Sequence, residues 1–500
     1  MKRKLYKNKL YTSACSRACV FNFIIFLQEV VLKMNVIRRF FSVEGMLGKT
    51  DIKEKPPSTK EVYKNNIMLA WPAALQGIGL SLAMLADTAM VGTLGKEAIA
   101  AVGISHLPIY MVTAVIRSLN IGITAVISRR YGENDKNGIS DCFKHGLIIN
   151  TVISLLLLVV VIKFSRQIVV FAGAGNDIID LAESYYRIVC FGNFFNCLCL
   201  TINAAQIGLG NTKISMITNI MANVVNLIMN YFLIYGKGPF PCLGVKGAGI
   251  ATAIGYISAF VLSIRSVSFK NRDLCIFNWY GWKFKKYVTI SIFKVGLPAL
   301  VENCLMQCGF LIHQRLVAGL GTAAIAAHQI GNSIYNISFY FGDGLATAAA
   351  AMVGRQLGAG KAYLARIYGK ASQRTALIAA CAVCLFMCIT RNYLPQFFTS
   401  DTDVLTLLPP VVVVIGILTI LQTTGLVYAG ALRGAGDTKY VAVSSLICIT
   451  IVRPVIAYLF MYTLGLGFFG GWLGYIVDQI LRVAFGLVRF NGDKWIKIKV

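Results

Sequence analysis

VGTLGKEAIAA at residues 91–101 and VAGLGTAAIAA at 317–327 are nearly the same stretch written twice, 226 positions apart. Three further pairs keep that spacing: Pro72 with Pro298, Arg129 and Gly132 with Arg355 and Gly358, and GNTK at 210–213 with GDTK at 436–439. One matching turn would be chance, whereas four in register mark a duplicated structural unit.

Composition says what the unit is made of. With 57% hydrophobic and only 14% charged residues in 500, too few polar groups remain to coat a water-soluble body. A hydrocarbon core of about 30 Å takes about 20 apolar helical residues at about 1.5 Å each. Apolar runs bounded by charge, Gly or Pro predict twelve spans near 65–92, 98–127, 142–162, 181–209, 213–236, 247–267, 288–313, 324–352, 370–390, 404–431, 440–463 and 469–488. The expected fold is an all-α membrane protein with twelve transmembrane helices in two pseudo-symmetric six-helix lobes. An even number of spans per half makes both halves enter the membrane in the same sense, so they are related by an axis along its normal. In such parallel repeats, substrate and ion sites lie between or within the halves, and access alternates by rocking.

The N-lobe is expected over 61–267 and the C-lobe over 288–490, joined by a polar cytoplasmic linker at 268–287. Residues 1–60 read as a basic extension, disordered or absent if translation starts at Met34 or Met46. Residues 491–500 read as a cytoplasmic tail pinned at the membrane interface by Trp495 and its lysines. The net charge of +27 is spread through connecting segments rather than gathered in one aromatic-laced patch, so membrane topology explains it better than nucleic acid. Arg129, Arg130 and Lys136, then Arg265, Lys283 and Lys286, then Arg355, Lys361 and Arg366 follow even-numbered spans, which puts both termini in the cytoplasm of a plasma or inner membrane. The fourteen cysteines lie mostly in apolar runs and are expected to be reduced. Cys381, Cys384 and Cys388 share a stripe but lack companions at zinc spacing.

Polar groups inside spans then single themselves out. An ionised carboxylate at mid-bilayer costs at least about 2.5 kcal/mol, so an unpaired one needs a reason. Asp87, fifteen residues after Pro72, is such a group, and cation binding would supply the reason. Asn226 and Asn230 share a helix face at i, i+4 and can offer oxygens to the same cation, or bond neighbouring helices. Glu302 stands at the repeat position of Gln76 and gives the C-lobe a carboxylate, for coupling, substrate contact or structure. Arg117 and Asp343 are aligned by the 226-residue offset, which would set them as an inter-lobe gate unless each pairs locally or reaches water. Pro72 and Pro298 would each free a carbonyl within a span and act as hinges, unless they merely start helices. Met84, Met111, Phe194, Phe195, Tyr340 and Phe341 are candidate contacts for an amphiphile.

DTAMVGTLGKEAIAAVG at 87–103, NLIMNYFLIYGKGPFPCLGVKGAGIAT at 226–252, AIAAHQIGNSIYNISF at 324–339 with GRQLGAGK at 354–361, and ALRGAGDTK at 431–439 together resemble the multidrug and toxic compound extrusion (MATE) family, and look closest to its DinF-like bacterial branch. The resemblance spans 65–490. It implies two lobes around a central cleft, with large, often cationic amphiphiles exported in exchange for sodium ions or protons, by a monomer without a cofactor. It also implies a cation-binding role for Asp87 and, by analogy, a hydroxyl ligand at Thr252. Many relatives have aspartate where this chain has Asn230, which removes one charge. A lipid-linked or polyisoprenoid flippase of the wider superfamily is the alternative; it would show extra helices and a basic cavity. An enzyme is disfavoured, since His106, His145, His313 and His328 fall on scattered spans.

Overall fold

The computed structural model describes residues 38–46, 56–175, 177–268, 274, 282–399 and 401–498. Among these residues, twelve membrane-length helical segments run in order: α1 Thr59–Gly92, α2 Lys96–Gly132, α3 Lys136–Phe171, α4 Ile179–Gly208, α5 Thr212–Tyr235, α6 Gly244–Val267, α7 Lys286–Ala318, α8 Thr322–Gly358, α9 Ala362–Thr390, α10 Thr402–Gly434, α11 over residues 438–463, and α12 Gly467–Asn491. All but α8 are both long and apolar enough to cross a membrane. α8 matches the others in length but carries His328, Gln329, Asn332, Asn336 and Asp343. It is the helix that packs on α1, α2 and α10 at the centre, where His328 is buried against protein.

The expected spans are found, mostly lengthened at their basic ends. α2 continues to Gly132 and α8 to Gly358, because Arg129, Arg130 and Arg355 sit past the apolar stretch without interrupting the backbone ladder. α1 starts early because Ser58 caps it, its hydroxyl accepting from the Glu61 amide at 3.3 Å. Pro72 and Pro298 lie in the interiors of α1 and α7, so neither is a helix-start proline. α11 is the irregular member. Its turns at Leu446–Val452 and Leu459–Thr463 are π-helical, the wide turn that absorbs an inserted residue.

The halves meet through α1 on α8 and α2 on both α7 and α8. Small residues make the contact close. A side chain at Gly132 would run into the Arg355 carbonyl, and one at Gly358 into the Arg129 carbonyl, so the repeat-related glycines let the basic ends of α2 and α8 cross backbone to backbone. Gly77 against Tyr340 and Gly344 against Ala73 do the same for α1 and α8. Arg355 also stacks on Tyr131, 4.6 Å from the ring centre.

Two terminal expectations change. Trp495 is not an interfacial anchor: it is fully buried in the C-lobe, stacked on Phe490 at 4.8 Å, with its indole N–H donating to the Phe490 carbonyl at 2.9 Å. An indole whose polar end finds a carbonyl gains more from packing than from a headgroup. The tail then reaches the other lobe, where Arg129 donates to the Ile498 carbonyl at 2.7 Å. Residues 38–46, read from sequence as part of an extension disordered or absent, are seated against α1 and α9. Val43 and Met46 are buried beside Val62 and Tyr368, and Arg374 donates to the carbonyls of Ser42 and Gly45. The rest of the extension before residue 56, and most of the linker, lie outside the described residues. Where the linker is described it holds to α3: Lys285 pairs with Asp141 at 2.6 Å, and its amide donates to His145 Nε2 at 2.7 Å. The Asp141 bond raises the Lys285 pKa above its ordinary value.

Candidate cation and substrate sites

Three N-lobe helices build the first site. α1 contributes Asp87 five residues before its end, α5 contributes Asn226 and Asn230 one turn apart, and α6 contributes Thr252. The side chains form one chain of hydrogen bonds: Asn230 Nδ2 donates to Asp87 Oδ1 at 2.7 Å and contacts Asn226 Oδ1 at 3.4 Å, while Asn226 Nδ2 donates to Thr252 Oγ1 at 3.1 Å. The geometry therefore brings together four residues that the sequence places up to 165 positions apart. Gly255 makes it possible, since a side chain there would strike the Ala222 carbonyl and hold α6 away from α5. Asn230 is fully buried, and its Oδ1 accepts no hydrogen bond among the described residues. Asp87 has no Lys or Arg ion-pair partner among them either. The site thus holds a carboxylate, amide oxygens and a hydroxyl, a donor set suited to a hard cation. Sequence reasoning missed its outer members. Tyr185 is buried beside Thr252, and His106 lies close enough to Asp87 to interact with it electrostatically.

Glu302 does not join this cluster. It lies in the C-lobe, buried, accepting from Arg433 at 2.7 Å and Ser445 Oγ at 2.8 Å. Its repeat partner Gln76 accepts from Ser215 Oγ at 3.0 Å.

A second site lies between the lobes, a cavity of about 260 Å³ lined from the N-lobe by Gln76, Arg117 and Asn120 and from the C-lobe by Asn303, Asp343, Arg433 and Arg482. Arg117 and Asp343 do share this cavity, as their alignment suggested, yet no ion pair joins them among the described residues. None of Met84, Met111, Phe194, Phe195, Tyr340 and Phe341 lines it; its aromatic and soft surface is Tyr110, Met306 and Phe339. The sequence reading chose residues by type, while helix rotation decides which of them face inward.

The third polar centre was not foreseen. Arg453 on α11 and Asp478 on α12 form a fully buried ion pair, Nε to Oδ2 at 2.7 Å, with the guanidinium 4.1 Å from the Tyr475 ring centre. His313 and His328 lie beside it, ring centres 5.3 Å apart. The signal was present, as one arginine in α11 and one aspartate in α12, but neither lies in a motif. Among the described residues, no cluster of three or more His, Cys, Asp or Glu could hold a metal, and the cysteines are free thiols.

Two equivalent helical lobes in lipid, an ion-type site within one of them and a polar cavity between them define a multi-pass membrane transporter rather than an enzyme. The chain belongs to the MatE family of multidrug efflux transporters, which matches it over residues 72–232 and 298–459, one copy in each lobe. Curated relatives agree over nearly the whole chain. A probable multidrug resistance protein NorM from Thermotoga maritima is 27% identical, covering 89% of this chain and 95% of that protein. The uncharacterized transporter YisQ from Bacillus subtilis is 25% identical, covering 91% and 99%. Among solved structures, a multidrug resistance MATE family transporter of the MOP superfamily in its outward-facing conformation superposes with a TM-score of 0.80 at 21% identity, covering 86% of this chain and 96% of that one. A MOP superfamily transporter from Pyrococcus furiosus gives 0.79 at the same identity and coverage. These likenesses establish the fold.

Proposed function

We propose that this protein exports amphiphilic compounds from the cell in exchange for a cation, sodium or a proton, taken up at Asp87. The observation that carries the reading is the pairing of an ion-unpartnered carboxylate with a buried amide oxygen, Asn230 Oδ1, that accepts nothing. A cation bound there satisfies both at once. A proton on Asp87 satisfies the carboxylate alone and leaves Asn226 and Thr252 to hold the geometry. Asp87 lies on α1, which also packs against α8 of the other lobe, so a change of charge at residue 87 can be felt at the inter-lobe contact. Pro72, lacking an amide N–H in the interior of that helix, is the place where α1 would bend, and Pro298 serves α7 in the same way. Arg117 and Asp343, on facing walls of the cavity, would meet as the lobes close and so act as a gate. Glu302 is already neutralised by Arg433 and takes no coupling role in this scheme.

The protein is read as a plasma- or inner-membrane transporter with both termini in the cytoplasm, and the four quoted stretches favour the DinF-like branch. Dye efflux from everted vesicles under an imposed sodium or proton gradient tests the coupling. Stimulation by one gradient in the parent, lost in Asp87→Asn, is the expected result; undiminished gradient-driven efflux in that variant would remove Asp87 from the mechanism.

A further inference from the structure

The walls of the central cavity carry three guanidinium groups, Arg117 from the N-lobe and Arg433 and Arg482 from the C-lobe, against one lining carboxylate, Asp343. Glu302 stands behind Arg433 and neutralises it. Arg117 and Arg482 have no hydrogen-bond or ion-pair partner among the described residues, and Asp343 is ion-paired with neither. With Glu302 set against Arg433, and Asp478, which also feels Arg482, set against Arg453, the cavity retains an excess positive charge.

Arginines deep in a membrane protein are rare, and those present pair with each other's counterions or mark a substrate path. This chain shows that contrast directly. Arg453, one helix away from Arg482, is buried against its own aspartate, while Arg117 and Arg482 are left facing the cavity. Low-dielectric walls concentrate the field of such charges in the space between them. A lipophilic cation entering this cavity would meet net repulsion, whereas an anionic group would meet a planar donor fork from each lobe. Guanidinium is the side chain best matched to carboxylate, sulfonate and phosphate oxygens, which it binds two at a time. The remaining wall is apolar and aromatic, with Tyr110, Met306, Phe339 and Leu426 to receive a hydrocarbon body.

We propose that the central cavity binds amphiphiles through an anionic head group held between Arg117 and Arg482, and that these two arginines set the charge selectivity of transport. This deepens the reading of the protein as an exporter and rests on the cavity being the substrate route. It replaces the cationic preference that the family resemblance implied, and the acids within the spans do not restore that preference. Glu302 and Asp478 are neutralised by arginines, and Asp87 lies in the N-lobe site away from the cavity lining. An anion bridging the two lobes would also keep Arg117 from Asp343, so its release frees that pair to meet.

Binding tests the proposal without needing coupling. Full-length protein in an uncharged maltoside detergent is titrated, by fluorescence anisotropy, against dodecanoylaminofluorescein as the anion, rhodamine 6G as the cation and a fluorescent phosphatidylglycerol as the anionic lipid. The fluorescein amphiphile or the lipid should bind at least about tenfold tighter than rhodamine, and Arg117→Gln with Arg482→Gln should lose about that factor for the anions only. Arg117→Lys with Arg482→Lys should recover part of it, which separates loss of charge from loss of fold. Stronger binding of the lipid than of the free amphiphile assigns the head group to a lipid source, and the reverse assigns it to soluble compounds. Equal or tighter binding of rhodamine, anion affinity unchanged in the Gln variant, or no binding by either anion would overturn the proposal. Efflux in Asp87→Asn is scored separately: its loss with anion binding intact supports both readings, and its survival removes the coupling role while leaving charge selectivity to stand on the titration.

Discussion

In the N-lobe, Asp87, Asn226 and Thr252 come together from α1, α5 and α6; in the C-lobe, the repeat-equivalent helices α7, α11 and α12 bring His313, Arg453 and Asp478 to the corresponding places. His313 follows Asp87, and Asp478 follows Thr252, by the 226 residues of the repeat. Arg453 follows Asn226 by 227, and the π-helical turn at Leu446–Val452 lies where the added residue has to be absorbed. The contacts confirm the match, because Asn226 bonds Thr252 and Arg453 bonds Asp478. The N-lobe version has one carboxylate and neutral oxygen donors; the C-lobe version contains its own cation, covalently attached. The duplicated fold therefore leaves the N-lobe position without a paired cation and fills the C-lobe one with a guanidinium. Under the function proposed above, an asymmetry of coupling would follow from which side chain fills a shared position rather than from a difference in architecture.

The strongest way to break this comparison is to unpair the C-lobe site. Asp478→Asn or Arg453→Gln alone strands a buried charge and should cost about 3–5 kcal/mol, seen as a lower thermal unfolding midpoint of the purified protein. The joint change Arg453→Met with Asp478→Leu should restore most of that. If the single variants unfold at the parent's temperature, the pair is not a fixed strut and the contrast between lobes is lost.

Removing the N-lobe charge should act on transport instead. Asp87→Asn is expected to remain folded while ion-driven efflux falls about a hundredfold, the scale of one charge-assisted interaction of about 1.5–3 kcal/mol. Vesicle efflux and the unfolding midpoint, measured on the same variant, separate the two lobes' roles.

Grafting sharpens the point further. Asn226→Arg with Thr252→Asp writes the C-lobe pair into the N-lobe and should depress coupled efflux about tenfold, because a tethered guanidinium now competes for Asp87. Coupling retained in the graft would show that these positions do not control the ion. The smallest effect is expected from Asn230→Asp, which supplies a second carboxylate 2.7 Å from the first. It should lower the sodium concentration for half-maximal efflux about threefold if sodium is the coupling ion, since added negative charge favours the cation. No change in sodium response would point to protons.

Legibility differed by kind of residue. Asp87, Asn226, Asn230 and Thr252 could be singled out because a carboxylate and a turn-spaced amide pair are conspicuous in apolar spans, and the motif resemblance added the hydroxyl. Arg482 and Arg453 were as visible as letters, but nothing in their spacing tells that one faces a cavity and the other an aspartate on the next helix. For Glu302 the sequence leaves coupling, substrate contact and structure equally open, because Arg433, which pairs with it, lies 131 residues away. Trp495 read as an interfacial anchor because an indole near lysines usually is one, and only the Phe490 ring and carbonyl beside it say otherwise.

Sequence alone determined the solvent, the twelve spans and the doubling. Hydropathy is a sum over neighbouring residues, and a repeat is a property of order along the chain. The packed structure decided which charges are free. Electrostatics in a low-dielectric interior depends on separations of a few ångströms between helices far apart in the chain, and those separations exist only once the lobes have packed.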